Sequence, residues 1–389
     1  MSEAMIVSAV RTPIGVAYKG TLRDTPAEEL AALVVSEALA RSGVSAESVD
    51  DVILAEALYG GGDTARHAAL AAGLQHVPGQ SVNRHCAGGL TAIGNAAASI
   101  KAGMDQAIIA GGVQSSSMAP QTGWREAGSS DYTVGLRPTF PHTGDADDDV
   151  TLTVGWNVAQ EVGISREEMD AWALRSNQRA VAAIDAGTFD DEIVPVKVAQ
   201  ADGSVLEFAV DEQPRRATSA DKLAGLKGLH PEIEGFSITA GNASGVNDAG
   251  SAVMVVSQEF AAEQGLTPLA RIVAWAAIGV DPRLTGLAGV SVIPRVLERA
   301  GITVDDVDLW EINEAFASVP VAACRLLGID EAKVNIHGSG CSLGHPVAAS
   351  GARMVTTLVH ELKRRGGGVA VAAMCAGGGQ GGAVVIEVL

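Results

Sequence analysis

The chain has 389 residues, 47% hydrophobic and only 4% aromatic, with a formal net charge of -19. That length calls for two or three domains sharing large cores, and so acidic a composition does not supply the basic face that a nucleic-acid partner requires. Four cysteines (Cys86, Cys324, Cys341, Cys375) carry neither zinc-finger nor paired-disulfide spacing, so no metal is expected and each thiol stays free in a reducing cytoplasm.

The opening Met1-Ser2-Glu3-Ala4-Met5 runs straight into an apolar strand pattern without a basic n-region or cleavage site, so a cytoplasmic protein is expected. Apolar runs such as residues 369–374 fall far short of the ~18–20 residues of a membrane helix, and no membrane partner is expected. Along the first 118 residues, short β-branched runs alternate with alanine-rich segments that read as helices at 26–41 and 91–103. This is the pattern of α/β units on a buried sheet. Residues 119–245 shift to Asp, Gly and Pro, with a helix of their own entered at Ser165-Arg166-Glu167-Glu168, a capping-box pattern, and stopped at Gly187. The segment reads as an inserted subdomain, either a lid or a structural excursion. It carries the cations Arg215, Arg216, Lys222 and Lys227, which suit a small anionic ligand or simply a solvated loop.

The far end repeats the beginning. Ala270-Arg271-Ile272-Val273 echoes Ala4-Met5-Ile6-Val7, Val307-Asp308-Leu309-Trp310 echoes Val49-Asp50-Asp51-Val52, and Lys333-Val334-Asn335-Ile336-His337 echoes Ser81-Val82-Asn83-Arg84-His85. A helix over 350–365 and a strand over 368–374 complete the second copy. An ordered internal duplication of this kind predicts two similar α/β halves packed together: residues 1–118 with 246–262, and residues 263–389.

Four places could carry chemistry. Cys86 stands where a strand gives way to a helix of small residues, and the N–H groups and dipole of a helix N-terminus favour a thiolate over the ordinary thiol. A cysteine in alanine-rich sequence also serves as a small buried hydrophobe, and local spacing does not separate the two. Asn313 follows the strand ending at Ile312, where ligands gather in α/β sheets and where an Asx cap would look the same. His345 lies in the glycine-punctuated loop Gly338-Ser339-Gly340-Cys341-Ser342-Leu343-Gly344-His345-Pro346, a candidate base near neutral pH or a helix-entry histidine satisfied by backbone. Cys375 ends a strand before Ala376-Gly377-Gly378-Gly379, a run that offers N–H groups to an oxyanion or makes a tight hairpin.

These segments, in this order, resemble the thiolase family over essentially the whole chain. Further matches are Arg11-Thr12-Pro13, residues 65–70, Gly111-Gly112 with Ser115, Thr239-Ala240-Gly241-Asn242-Ala243-Ser244-Gly245 with Asn247-Asp248, and Gly279-Val280-Asp281-Pro282. The resemblance implies a thiolase-like fold of two α/β halves stacked as αβαβα layers, and a CoA-dependent acyltransferase that is a homodimer or homotetramer. Coenzyme A and acyl-CoA would be substrates, with no permanently bound cofactor. It implies that Cys86, helped by His345, takes an acyl group. Cys375 then removes an α-proton from a second acyl-CoA, whose carbanion attacks the acyl-enzyme, and the reverse cleaves a 3-oxoacyl-CoA. One oxyanion hole would use His345 and a water held by Asn313, the other the N–H groups of Cys86 and Gly377. Ser244 would touch pantetheine, and Arg215, Arg216 and Lys222 would meet the phosphate end.

Departures bear on the substrate. Cys86-Ala87-Gly88-Gly89 stands where many members have Cys-x-Ser-Gly, Ser339-Gly340-Cys341 where they have Gly-Gly-Ala, and Ala348 where they have glycine. The positions that hold methionines around the acyl group in short-chain biosynthetic members are expected at Val154 and Thr285, so the acyl pocket is expected to differ from that of an acetoacetyl-CoA enzyme. A decarboxylating condensing enzyme of the same fold is the alternative; it uses histidine or asparagine where Cys375 stands. A non-catalytic acyl-CoA-binding scaffold is the other, opposed by the presence of all four groups.

Overall fold

A computed structural model describes residues 2–59, 62–135, 139–141, 149–200 and 202–388; residues 136–138, 142–148 and 201 of the expected insertion lie outside them. In chain order the strands are β1 (Ala4–Arg11), β2 (Gly15–Val16), β3 (Asp51–Ala55), β4 (Gly79–Val82), β5 (Ala107–Ser115), β6 (Gly123–Arg125), β7 (Tyr132–Val134), β8 (Val196–Ala199), β9 (Val205–Phe208), β10 (Asn247–Ser257), β11 (Ala270–Gly279), β12 (Leu309–Ile312), β13 (Gly368–Ala376) and β14 (Gln380–Val388). The helices are α1 (Ala27–Ser42), α2 (Thr64–Ala71), α3 (Gly88–Ala102), α4 (Asn157–Val162), α5 (Arg166–Asp185), α6 (Ala220–Ala224), α7 (Gln258–Glu263), α8 (Thr285–Ala300), α9 (Ser318–Leu327) and α10 (Ser350–Arg365). None among the described residues is long and apolar enough to cross a membrane.

The internal repeat is written into the strand pairing. From one edge the order is β4-β3-β5-β10-β1, continued by β11-β14-β13-β12. In the first half β3 runs parallel to β5, which is antiparallel to β10, which is antiparallel to β1. In the second, β12 runs parallel to β13, which is antiparallel to β14, which is antiparallel to β11. The parallel bridge from Val334 to Trp310 stands in for β4. Even the irregularity recurs: the register slips between Ile6 and Ser8 in β1 and between Ile272 and Ala274 in β11, at matching points of the two copies. A bulge bends and twists its strand, so each half curves alike. The halves join where Ala4 pairs with Ile272 and Ile6 with Ala270.

Three apolar clusters divide the layers. One holds α1 and α2 against the outer face of the first half, with Val34, Leu30, Ile109 and Met254. Another holds α8 and α9 against the second, with Ile293, Val296, Ile312 and Val385. The third lies between them and takes residues from both halves, among them Ile53, Ile108, Leu309 and Ile386, around α3 and α10. The order is therefore α, β, α, β, α. Composition explains the middle layer: α10 is buried on nearly every side, as a helix sandwiched between sheets must be. The helix of the insertion is capped as its sequence indicates, since Ser165 and Glu168 make the full capping box of α5 and Gly187 follows in the left-handed region at φ +68°.

The two central helices touch at their N-terminal ends with no room for side chains. A Cβ on Gly89 of α3 would lie 2.7 Å from the main-chain nitrogen of Ala352, and one on Gly351 of α10 would lie 2.6 Å from that of Leu90. Glycine is normally a loss of about 1 kcal/mol against alanine within a helix. Here the sign reverses. Gly351→Ala is expected to destabilise the protein by about 1–3 kcal/mol through overpacking, while Gly225→Ala, whose Cβ would meet only ordinary contacts at 3.4 Å, stays within about 0.5 kcal/mol of wild type. Chemical-denaturation midpoints of the two variants check this.

Candidate active site

Cys86 enters the site from the end of β4. The chain passes through His85, whose φ of +44° lies in the left-handed region, and makes one tight turn over His85–Ala87 before α3 begins at Gly88. Histidine is among the residues that tolerate this conformation, and the side chain of Asn83 accepts the His85 N–H at 2.8 Å to hold it. The Cys86 thiol, half-buried, faces the main-chain N–H groups of Cys86 itself and of Gly377. The helix-end position led to the expectation of a readily formed thiolate. Burial reverses it: desolvation pushes the thiol up to about 11 despite both N–H groups, because drawing a charge out of water costs more than two dipoles return.

His345 arrives on the loop before α10. Its main-chain N–H is accepted by the Asn247 carboxamide at 2.9 Å, and the same carboxamide donates to the carbonyl of Gly15 at 2.9 Å. Gly344, at φ +105°, leaves room for it; a Cβ there would sit 2.4 Å from the Asn247 oxygen. The imidazole Nδ1 meets Ser350 Oγ at 2.6 Å, and Ser350 donates its only proton to the Pro346 carbonyl at 3.0 Å. The hydroxyl must therefore accept from Nδ1–H, which leaves the lone pair on Nε2. Burial, then the nearby Arg353 guanidinium, push the imidazole down to about 4, so it rests neutral. Asn313, fully buried at the end of β12, holds its Nδ2 3.4 Å from His345 Nε2. Its Oδ1 is buried without a hydrogen-bond partner among the described residues, which marks it as a group kept for something other than packing.

Cys375 lies near the end of β13, and its thiol is raised by burial and then by the proximity of Cys86. Cys86, His345, Cys375 and Gly377 line a single cleft of about 1190 Å³, together with Ser244. Asn313 stands behind His345 and outside the lining. The three cations expected at the phosphate end are exposed and also outside it: Arg216 is paired with Asp185 at 2.6 Å, Lys222 donates to the Ala217 carbonyl, and the Arg215 main chain donates to Asn177. Of the two positions expected around an acyl group, Val154 lines the cleft. Thr285 does not; its hydroxyl donates to the Pro282 carbonyl and accepts the Gly379 N–H at 3.0 Å, so it braces the glycine turn. Sequence reasoning quoted Asn247 and Ser350 without giving them work. Their partner is 98 residues away in the first case, beyond any local pattern, but for Ser350 the spacing of five from a histidine at a helix entry was a usable signal.

Residues 4–259 match the family model described as thiolase, N-terminal domain, and residues 266–388 match thiolase, C-terminal domain. The chain is 45% identical over 380 residues to the 3-oxoadipyl-CoA/3-oxo-5,6-dehydrosuberyl-CoA thiolase of Escherichia coli K12, covering 94% of each chain. It is 41% identical over 377 residues to an acetyl-CoA acetyltransferase of Pseudomonas aeruginosa, again with 94% of each covered. Among solved structures, the crystal structure of the Bacillus anthracis acetyl-CoA acetyltransferase is similar with a TM-score of 0.90 at 39% identity, covering 100% of this chain and 99% of that one.

The neutral state of His345 has a consequence for stability. Its value when folded, about 4, lies below the ordinary 6.5, so between these limits the unfolded chain binds the extra proton and stability is lost as pH falls through the window. His345→Asn is expected to flatten the dependence of unfolding free energy on pH between 6.5 and 4 by up to about 1.4 kcal/mol per pH unit. Urea titrations of both proteins across that range measure it; parallel curves would show that the histidine is not held neutral.

Proposed function

Because this chain belongs to the thiolase family and is thus a CoA-dependent acyltransferase, we propose that Cys86 is its nucleophile, His345 the base that activates it, and Cys375 the acid–base group for carbon. The observation that carries the assignment is the convergence of these three side chains and the Gly377 N–H on one cleft. The Nε2 lone pair of His345 takes the Cys86 proton as sulfur attacks an acyl-CoA carbonyl. The C–S bond to coenzyme A then breaks, the proton passes to the departing thiolate, and an acyl-thioester remains on Cys86. A second acyl-CoA enters, Cys375 gives its own proton to the again neutral His345 and takes the α-proton in its place, and the carbanion attacks the acyl carbonyl. A carbon–carbon bond forms, Cys86 leaves and recovers a proton from His345, and a 3-oxoacyl-CoA is released; in the opposite direction coenzyme A cleaves it.

Charge develops on carbonyl oxygen in both steps, and fixed donors there supply the largest electrostatic gain. We assign one oxyanion site to His345 and a water held by Asn313, whose unpartnered Oδ1 suits that task, and the other to the N–H groups of Cys86 and Gly377. A covalent thioester suits the chemistry because it keeps the acyl group reactive between two easier steps. Ser244, in the cleft wall, is assigned to pantetheine, and the exposed Arg215, Arg216 and Lys222 to the phosphate end. The chain is read as a cytoplasmic homodimer or homotetramer whose working units are residues 1–118 with 246–262, the insertion 119–245, and 263–389. Four unpaired cysteines suit the reducing compartment of that reading.

Cys86→Ala is expected to gain no acyl mass when mixed with acetyl-CoA, as read by intact-protein mass spectrometry. Cys375→Ser should still be acylated while condensation falls by roughly 10²- to 10⁴-fold, the usual worth of a positioned acid–base group. His345→Ala should slow both steps. Normal turnover by either cysteine variant removes the role given to that residue.

A further inference from the structure

Helix α5 belongs to the inserted segment, yet the face it turns inward carries polar groups. Trp172 and Ser176, one turn apart on that face, are buried, and so is Asn177. A buried polar group in mid-helix lowers stability unless something answers it, and serine and asparagine are weak helix formers besides. Asn177 is answered locally, donating to the Ala173 carbonyl and accepting the Arg215 N–H at 2.9 Å. Trp172 and Ser176 reach into the second half instead, where both donate to one carboxylate. Trp172 Nε1 meets Glu314 Oε1 at 2.8 Å and Ser176 Oγ meets Oε2 at 2.7 Å. The Arg175 guanidinium lies over the indole, 4.3 Å from the ring centroid, and is itself paired with Glu331 at 2.7 Å.

Glu314 directly follows Asn313, and its further hydrogen bonds fasten what surrounds His345. Oε2 accepts the Cys341 N–H at 3.0 Å, and Oε1 accepts from Asn335 Nδ2 at 2.8 Å. Asn335 returns to the end of β12, where its carboxamide bonds both the N–H and the carbonyl of Ile312, at 2.9 and 2.8 Å. The loop from Ser339 to His345 is tied to itself: the Leu343 N–H donates to the Ser339 carbonyl at 2.7 Å and the Gly344 N–H to the Gly340 carbonyl at 3.2 Å. A shift at Cys341 therefore carries to His345. Ser176 also accepts the Ser339 N–H at 3.3 Å, and helix and loop are in backbone contact, since a Cβ on Gly338 would lie 2.7 Å from the Ser176 carbonyl oxygen and 2.9 Å from the Ala180 Cβ. Each carboxylate oxygen offers about two lone-pair sites, so both oxygens of Glu314 are filled. Removing a donor on α5 leaves a buried acceptor unmet, and the loop and strand end must move to answer it.

We propose that Trp172 and Ser176 are positioning residues of the reaction: through Glu314 they hold the His345 loop and the strand end of Asn313, so that the inserted segment governs the chemical step from outside the cleft. The inference rests on the assignment of His345 as base. In the full-length enzyme, Trp172→Phe keeps a ring beneath Arg175 and removes the N–H, while Ser176→Ala removes the hydroxyl. Ala182→Gly, exposed on the same helix, loosens α5 without touching Glu314 and is the control. Single-turnover acylation of Cys86 by acetyl-CoA is followed by rapid quench and intact-protein mass spectrometry over a range of acetyl-CoA concentrations. Trp172→Phe and Ser176→Ala are each expected to lower the saturating rate by roughly 10- to 100-fold, the scale of a small misplacement of a reacting group, with the half-saturating concentration unchanged; Ala182→Gly should keep both at wild-type values. Added to His345→Ala, Trp172→Phe should cost only a small part of what it costs alone, because residues that act as one unit are not additive. A wild-type saturating rate in either variant, a fall that Ala182→Gly shares, or a loss from Trp172→Phe as large without His345 as with it overturns the proposal. Where Ser176→Ala does not fold, Trp172→Phe decides alone. If His345→Ala slows acylation while the α5 variants do not, only the positioning role falls; if His345→Ala acylates at the wild-type rate, the reading beneath it falls as well.

Discussion

The contact on which the site depends is the meeting of two helix N-termini without side chains between them. Gly89 lies on the backbone of α10 and Gly351 on the backbone of α3, and the relation is reciprocal because the two helices are copies of one another. Helix axes separated by ordinary side chains stand 8–10 Å apart; glycines at the crossing bring these closer. Cys86 stands two residues before α3 and His345 five before α10, so the approach of the helices brings the thiol and the imidazole to one cleft. The same contact seals the middle layer, in which α3 and α10 share one apolar cluster with strands of both halves.

Sealing has an electrostatic price that shapes the chemistry. Burial at the foot of the cleft disfavours charged forms on every group at once: Cys86 is pushed up, Cys375 further up, and His345 down to about 4. The arrangement is therefore a thiol and a neutral imidazole in one cleft, and not a preformed ion pair. In the proposed reaction such a pair creates charge only as the acyl carbonyl begins to accept it, near fixed N–H groups. Donors that need no reorganisation in a low-dielectric site are worth more there than in water.

Much of this was legible in the sequence because duplication is a long-range signal carried by local patterns. Strand and helix landmarks recur in order, and the sheet repeats them down to the slipped register at Ile6–Ser8 and Ile272–Ala274. Cys86, His345, Asn313 and Cys375 could be picked out because each sits at an element end, where turn chemistry is visible. What was not legible depends on contacts between distant segments. Asn247 braces the His345 backbone from 98 residues away. Thr285 spends its hydroxyl on Gly379 and Pro282 and does not line the cleft. The rise of the Cys86 pKa follows from layers closing over it, a fact of packing that a helix-end position cannot report.

The site also shows how a symmetric fold produces an asymmetric function. In the first half the chain leaves β4, turns once at Cys86 and enters α3 at Gly88. In the second, the position matching Cys86 is Gly338, at φ +77°, where a Cβ would collide with Ser342 and with the Ser176 carbonyl of α5. A thiol has no place there. α10 does not start until Ser350, and the added loop is fixed by Glu314, which accepts the Cys341 N–H and hydrogen bonds from Trp172, Ser176 and Asn335. A buried carboxylate so fully satisfied holds its loop firmly. One copy thus keeps the short turn and offers a sulfur; the other lengthens the same turn and reaches back with an imidazole. Two identical short turns would have set like groups against each other, and the proposed acid–base exchange needs unlike ones.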